Sequence, residues 1–231
     1  MATVYSPKIV TDGLVFCIDA ADRKSYPGTG STWSDRSGND HNLTLSNGPI
    51  FTSANGGIID FDGSNDFAKT TDVIIASPTS LTIGGWFKKN GSGGSFETAL
   101  HHGTSTSVGG SSYWFGFDSS DIITGTIGAN TGSGWSAGRT DITAVLGVWY
   151  HLISTWDGTT VRTYLDGILK KTYSRSTYNS LTTPTRVGSS GDGTGYLMNG
   201  SVANVFISKN KYFTHEEVLQ NYNATKDRFI R

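Results

Sequence analysis

Residues 149–173 read Trp149-Tyr150-His151-Leu152-Ile153-Ser154-Thr155-Trp156, Asp157-Gly158, a run over 161–165, Asp166-Gly167, then Ile168 to Tyr173. Two Asp-Gly dipeptides punctuate three segments rich in β-branched and aromatic residues. Asp and Gly accept the positive φ of tight hairpin turns at low cost, so the stretch predicts a three-strand antiparallel meander. Outward from it, residues 81–88 alternate with a period of two, as Leu81, Ile83 and Gly85 against Thr82, Gly84 and Trp86. Further strands are expected at 13–19, 57–61, 113–118 and 122–127, with a last pair at 185–188 and 201–208. Residues 26–49, 91–112 and 130–139 read as three long Gly/Ser/Asn-rich loops.

Composition agrees with an all-β chain. Of 231 residues, 30 are glycine and only 16% are charged, yet aromatics reach 12%, far above a disordered chain. Five prolines and no three-residue glycine period exclude collagen. The length suits one sandwich domain, expected over residues 13–231 behind an N-terminal arm, 1–12. One cysteine, Cys17, excludes a disulfide framework. A net charge of −1 with no Lys/Arg-rich block argues against nucleic acid as a partner. No apolar run approaches the roughly 20 residues that span a bilayer, so no membrane partner is expected. The opening residues lack a secretory leader, which leads to the expectation of assembly in a cytoplasm.

One helix is expected, over about residues 215–223. Thr214 is its N-cap, Glu217 completes a capping box, and Phe213 can staple onto Val218.

Several segments, in order, resemble laminin-G-like domains of the concanavalin A-like lectin/glucanase superfamily. They are Leu14-Val15-Phe16-Cys17-Ile18-Asp19-Ala20, Trp33-Ser34-Asp35-Arg36-Ser37-Gly38-Asn39, Phe61-Asp62-Gly63-Ser64-Asn65-Asp66-Phe67, Leu81-Thr82-Ile83-Gly84-Gly85-Trp86, Trp149-Tyr150-His151-Leu152 and Tyr164-Leu165-Asp166-Gly167. Gly200-Ser201-Val202-Ala203-Asn204-Val205 and the closing Leu219-Gln220-Asn221-Tyr222-Asn223-Ala224 complete the likeness. The resemblance implies a jelly-roll β-sandwich of two antiparallel sheets with one short C-terminal helix. The ending, through Thr225-Lys226-Asp227-Arg228-Phe229, is similar to stand-alone domains of tailed-phage virions. It implies a virion surface location, as capsid decoration or fibre-associated protein, with other virion proteins, further copies of the chain and host glycans as partners. The alternative reading is a dedicated carbohydrate-binding adhesion module.

A glycoside hydrolase is the least favoured reading, and no catalytic residue is assigned. Retaining glycosidases need two carboxyl groups about 5–5.5 Å apart. The chain has three Glu, at 97, 216 and 217, the last two in the first turn of the expected helix. No Glu-x-Asp-x-Glu pattern occurs. Asp60 and Asp62 would share a strand face, but Asp62-Gly63 and Asn65-Asp66 read better as a tight turn, and the stretch fails the Ca²⁺ loop rule at its sixth and twelfth positions. No cofactor is expected. The family resemblance leaves one exception, a looser Ca²⁺ site drawn from Asp60, Asp62, Asp66 and Asp157.

Flat aromatic faces stack on sugar rings. Trp86, Trp149, Trp156 and Trp33 read as packing residues. Trp135, between Gly134 and Ser136, and the pair Tyr113 and Trp114 are the candidate glycan platforms. In the arm, Val4, Tyr5, Ile9 and Val10 are candidates for ordering against a partner.

Overall fold

The structure, a computed structural model, describes residues 8–91, 96–104, 111–128, 136–191 and 193–230, with the backbone of Trp135. Its strands in chain order are β1 (Leu14–Asp19), β2 (Thr32–Trp33), β3 (Leu43–Ser46), β4 (Ile50–Thr52), β5 (Ile58–Asp62), β6 (Phe67–Thr70), β7 (Leu81–Lys89) and β8 (Glu97–Gly103). They continue as β9 (Ser111–Phe117), β10 (Ile122–Ile127), β11 (Arg139–Thr143), β12 (Trp149–Trp156), β13 (Thr160–Leu165), β14 (Ile168–Ser174), β15 (Thr185–Val187) and β16 (Asn199–Lys209), before helix α1 (His215–Thr225). No helix among the described residues is long and apolar enough to cross a membrane.

The first sheet has the order β14-β13-β12-β7-β16-β5-β4, with β1 pairing the later half of β16. The second runs β11-β10-β9-β8-β15-β6-β3-β2. The chain crosses repeatedly between the two antiparallel sheets, as a jelly roll requires. The meander is β12-β13-β14, and Asp166 (φ 51°) and Gly167 (φ 80°) form its second turn. Residues 185–188 and 201–208 contribute to strands that do not pair with each other. β15 sits between β8 and β6, while β16 lies between β7 and β5 in the other sheet. The first expected loop also contains β2 and β3, short strands whose Trp33 and Leu43 enter the core.

Phe16, Ile18, Ile83, Phe87, Leu152 and Val205 of the first sheet meet Leu100, Tyr113, Phe115 and Val187 of the second in one core. Each such side chain contributes about 1.5–3 kcal/mol on burial. The alternate residues of β7 and β12 are also buried, because α1 and the tail cover the outer face of the first sheet. There Trp86 lies 4.3 Å from Phe229, 4.9 Å from His151 and 5.9 Å from Tyr222, ring centre to ring centre. Its Nε1 donates to Thr225 Oγ1 at 2.8 Å. Helix α1 carries the expected capping box, and Phe213 and Val218 share one buried cluster.

The N-terminal arm packs on its own domain where it is described. Val10 is buried in the α1 cluster and its N–H donates to Asn221 Oδ1 at 2.7 Å. Ile9 is half-buried beside it, and Lys8 O accepts from Gln220 Nε2. This corrects the partner-binding reading for Val10, whose apolar surface α1 already occupies, while Ile9 lines a small cavity between α1 and the first sheet. Val4 and Tyr5 lie outside the described residues.

Candidate functional site

The outer face of the second sheet carries a row of register-paired residues, Thr44, Lys69, Arg186, His101, Trp114 and Thr126, one from each of six strands. Their sequence neighbours Ala68, Val187, Leu100 and Phe115 point into the core, so the row faces away from it. Near its middle, Gly191 N donates to His101 Nδ1 at 3.3 Å, which leaves Nε2 to donate to Ser111 Oγ at 2.7 Å. That pattern requires a neutral imidazole, and burial holds the His101 pKa down at about 3.

Trp114 is fully buried, as is Tyr113. This corrects their assignment as exposed platforms. Tyr113 lies in the core with its hydroxyl 2.6 Å from Thr185 Oγ1. Trp114 faces the other way, donates from Nε1 to Thr98 Oγ1 at 2.8 Å, and is roofed by Phe96 and Tyr196. Phe96 meets the indole edge-on at 6.2 Å and Tyr196 at 5.0 Å. Phe96 and Tyr196 are half-buried, so among the described residues these two rings form an aromatic ledge with Trp114 as its base. Tyr196 is held at φ 47°, and its carbonyl accepts from Thr98 N at 2.8 Å. Sequence reasoning missed both rings, which come from distant segments. Trp135 begins a short 3₁₀ turn, Trp135–Gly138; its side chain lies outside the described residues.

The segment that supplies Tyr196 also borders an open cleft of about 340 Å³, lined by Asn47, Ser64, Asn65, Phe67, Gly193, Thr194 and Leu197. The β3–β4 turn, the β5–β6 turn and the β15–β16 connection build it. Asn47 Nδ2 donates to Asn65 O at 2.8 Å, tying the first two together. Gly193, at φ 102°, approaches the Phe67 ring where a side chain would meet it at 3.2 Å. A smaller cavity of about 50 Å³, between α1 and the first sheet, is too tight for a sugar ring.

The four Ca²⁺ candidates do not come together. Asp62, at one end of β5, pairs with Asn199 at the start of β16, whereas Asp157 follows Trp156, whose partner Leu81 pairs with Lys209 at the end of β16. Ten residues of strand put them roughly 30 Å apart. Asp157 is held by Arg162 at 2.7 Å and by the Thr159 and Thr160 amides. Asp62 Oδ1 accepts from Ser64 N at 2.7 Å, Asp66 Oδ2 from Asp62 N at 3.1 Å, and Asp60 from the Ser201 hydroxyl. Among the described residues no group of three or more His, Cys, Asp or Glu is arranged to hold a metal ion.

Glu97 is fully buried between the sheets. Its Oε1 lies 2.7 Å from Lys89 Nζ and its Oε2 accepts from Asn199 N at 3.0 Å. Lys89 is also bonded to Asp121. Glu216 and Glu217 sit in the first turn of α1, as expected, and Glu217 pairs with Lys211 at 2.7 Å. Burial pushes the Cys17 thiol up to about 12, an unreactive state beside Asp19 and Asp35.

Residues 62–219 match the family model described as concanavalin A-like lectin/glucanases superfamily. No curated protein sequence matches the chain. Among solved structures, domain 4 of AbnA, a GH43 extracellular arabinanase from Geobacillus stearothermophilus in complex with arabinotriose, is 14% identical with a TM-score of 0.66, covering 90% of this chain and 98% of that one. The Trypanosoma rangeli sialidase in complex with the inhibitor DANA is 15% identical with a TM-score of 0.65 over 95% of this chain, which spans only 35% of the sialidase. The binding domain of Paraclostridial Mosquitocidal Protein 1 is 16% identical with a TM-score of 0.60, covering 93% of this chain and 52% of that one. These likenesses are in fold.

Proposed function

The chain belongs to the concanavalin A-like lectin/glucanase superfamily, and we propose that within it this protein is a non-enzymatic glycan-recognition protein of a bacteriophage virion surface. The observation that carries the reading is a division of labour. The aromatic ledge of Phe96 and Tyr196 and an open polar cleft adjoin one segment, residues 193–197, while Glu97 is spent on a buried ion pair. A ledge beside a cleft gives a sugar a face to stack on and groups to hydrogen-bond. The fold's likeness to a domain described in complex with arabinotriose supports a saccharide ligand.

The virion setting rests on the resemblance of the closing segment to tailed-phage proteins. In this chain that segment closes the domain: Arg228 pairs with Asp19 at 2.8 Å and Phe229 covers Trp86. The partners proposed are other virion proteins and a host surface glycan. A glycan array probed with the protein and with Phe96→Ala tests the recognition. Selective binding lost in the variant supports it, and no binding to any glycan refutes it. Labelled antibodies against the chain, imaged on phage particles, test the location.

A further inference from the structure

The cleft beside the β5–β6 turn has a chemical bias that narrows the ligand. We propose, resting on the glycan-recognition reading, that this cleft is a subsite for a neutral sugar residue and that Asp62 excludes acidic ones. None of the described lining residues is charged, and Asn47 and Asn65 place amide groups around the Phe67 ring. Asn47, Ser64, Asn65 and Thr194 are exposed and Phe67 is half-buried, so the ring forms the floor and the polar groups the rim. The Asn65 side-chain amide makes no hydrogen bond to the described residues, so its donor and acceptor are both open to a ligand. A volume of about 340 Å³ is at the small end of ligand sites, appropriate to one or two sugar rings.

The exclusion comes from the turn itself. Asp62 is exposed, and its Oδ1 is 2.7 Å from the amide nitrogen of Ser64, a lining residue. The Ser64 amide holds the Asp62 carboxyl below its usual range, so it is charged at neutral pH, where a carboxylated sugar is ionised as well. Asp66 adds a second carboxylate beneath the same turn, bonded to the Asp62 amide. A carboxylate bonded to a lining residue disfavours a carboxylated ligand, and none of the described lining residues is a cation that would offset it. Lys69 and Arg186 belong to the row on the sheet face.

The test uses a printed array of matched neutral and sialylated or uronic-acid oligosaccharides, followed by calorimetry on the strongest neutral hit. Asn65→Ala is an exposed change that leaves the fold intact, which a thermal melt verifies. It is expected to weaken neutral binding about tenfold, the equivalent of one lost hydrogen bond. Asp62→Asn keeps the turn's acceptor oxygen and removes the charge, so acidic members of the array gain several-fold relative to neutral ones. Raising salt to 1 M shortens the screening length to about 3 Å and narrows the same gap in the unaltered protein. Neutral binding untouched by Asn65→Ala overturns the subsite while leaving glycan recognition standing. Preferential binding of acidic glycans, lost on Lys69→Ala, overturns the neutral assignment and moves the site to the sheet face. Absence of all glycan binding refutes both readings.

Discussion

Lys89 Nζ lies 2.7 Å from Glu97 Oε1 with both side chains shut away from solvent, so an ion pair joins β7 of the first sheet to β8 of the second. Asp121 bonds Lys89 as well, and the Asn199 amide donates to Glu97. Both carboxylate oxygens of Glu97 are thus engaged inside the domain.

Removing one partner strands the other charge indoors. Lys89→Met is expected to cost about 3–5 kcal/mol in denaturant unfolding, and adding Glu97→Gln should recover much of it. An unchanged midpoint in Lys89→Met would show that the pair is solvated in solution.

The lid over the first sheet depends on Phe229, whose ring stacks on Trp86 and lies 4.8 Å from Trp149. Being half-buried, it should contribute less than a core phenylalanine. Phe229→Ala is expected to lose about 2 kcal/mol, read as a lower melting temperature with the glycan affinity unchanged.

Three buried histidines make the fold acid-sensitive. Burial lowers the pKa of His101 and His151 to about 3 and of His102 to about 4, against 6.5 in the open chain. Between these values the unfolded chain binds protons that the native state refuses, so stability falls as pH drops from 6.5 toward 3. Each histidine contributes a slope of order 1 kcal/mol per pH unit. Urea midpoints measured from pH 7 to 4 should decline steadily, and His151→Gln should flatten the slope.

Trp114 is sealed beneath Phe96 and Tyr196. Phe96→Ala should open it to acrylamide quenching and shift the tryptophan emission to the red, and the same change should weaken glycan binding. Loss of binding with no change in quenching would mean that the ledge acts without the indole beneath it.

Much of the architecture is legible in the sequence because local chemistry enforces it. Asp166-Gly167 accepts two positive φ values in succession, and Thr214 with Glu217 caps α1 through its own backbone. What escaped has physical reasons. β8 is buried at all seven positions and includes Glu97, His101 and His102, so no alternation of polar and apolar residues marks it. Residues 185–188 and 201–208 read as neighbours because they are near in sequence, yet the crossovers of a jelly roll send them to different sheets. At the site, Trp114 looked exposed because a Gly/Ser loop precedes it. Its covers are Phe96 and Tyr196, a hundred residues apart, and nothing local announces that they meet. The cleft is the same case, built from three turns that only the sheet brings together.

The central claim is recognition of a glycan without its cleavage. The direct measurement mixes the purified protein with its strongest oligosaccharide from the array, records calorimetric binding, and assays reducing ends over a day. Saturable binding with the oligosaccharide recovered intact is the predicted result. New reducing ends that vanish in Glu97→Gln, or no binding to any glycan, would contradict it.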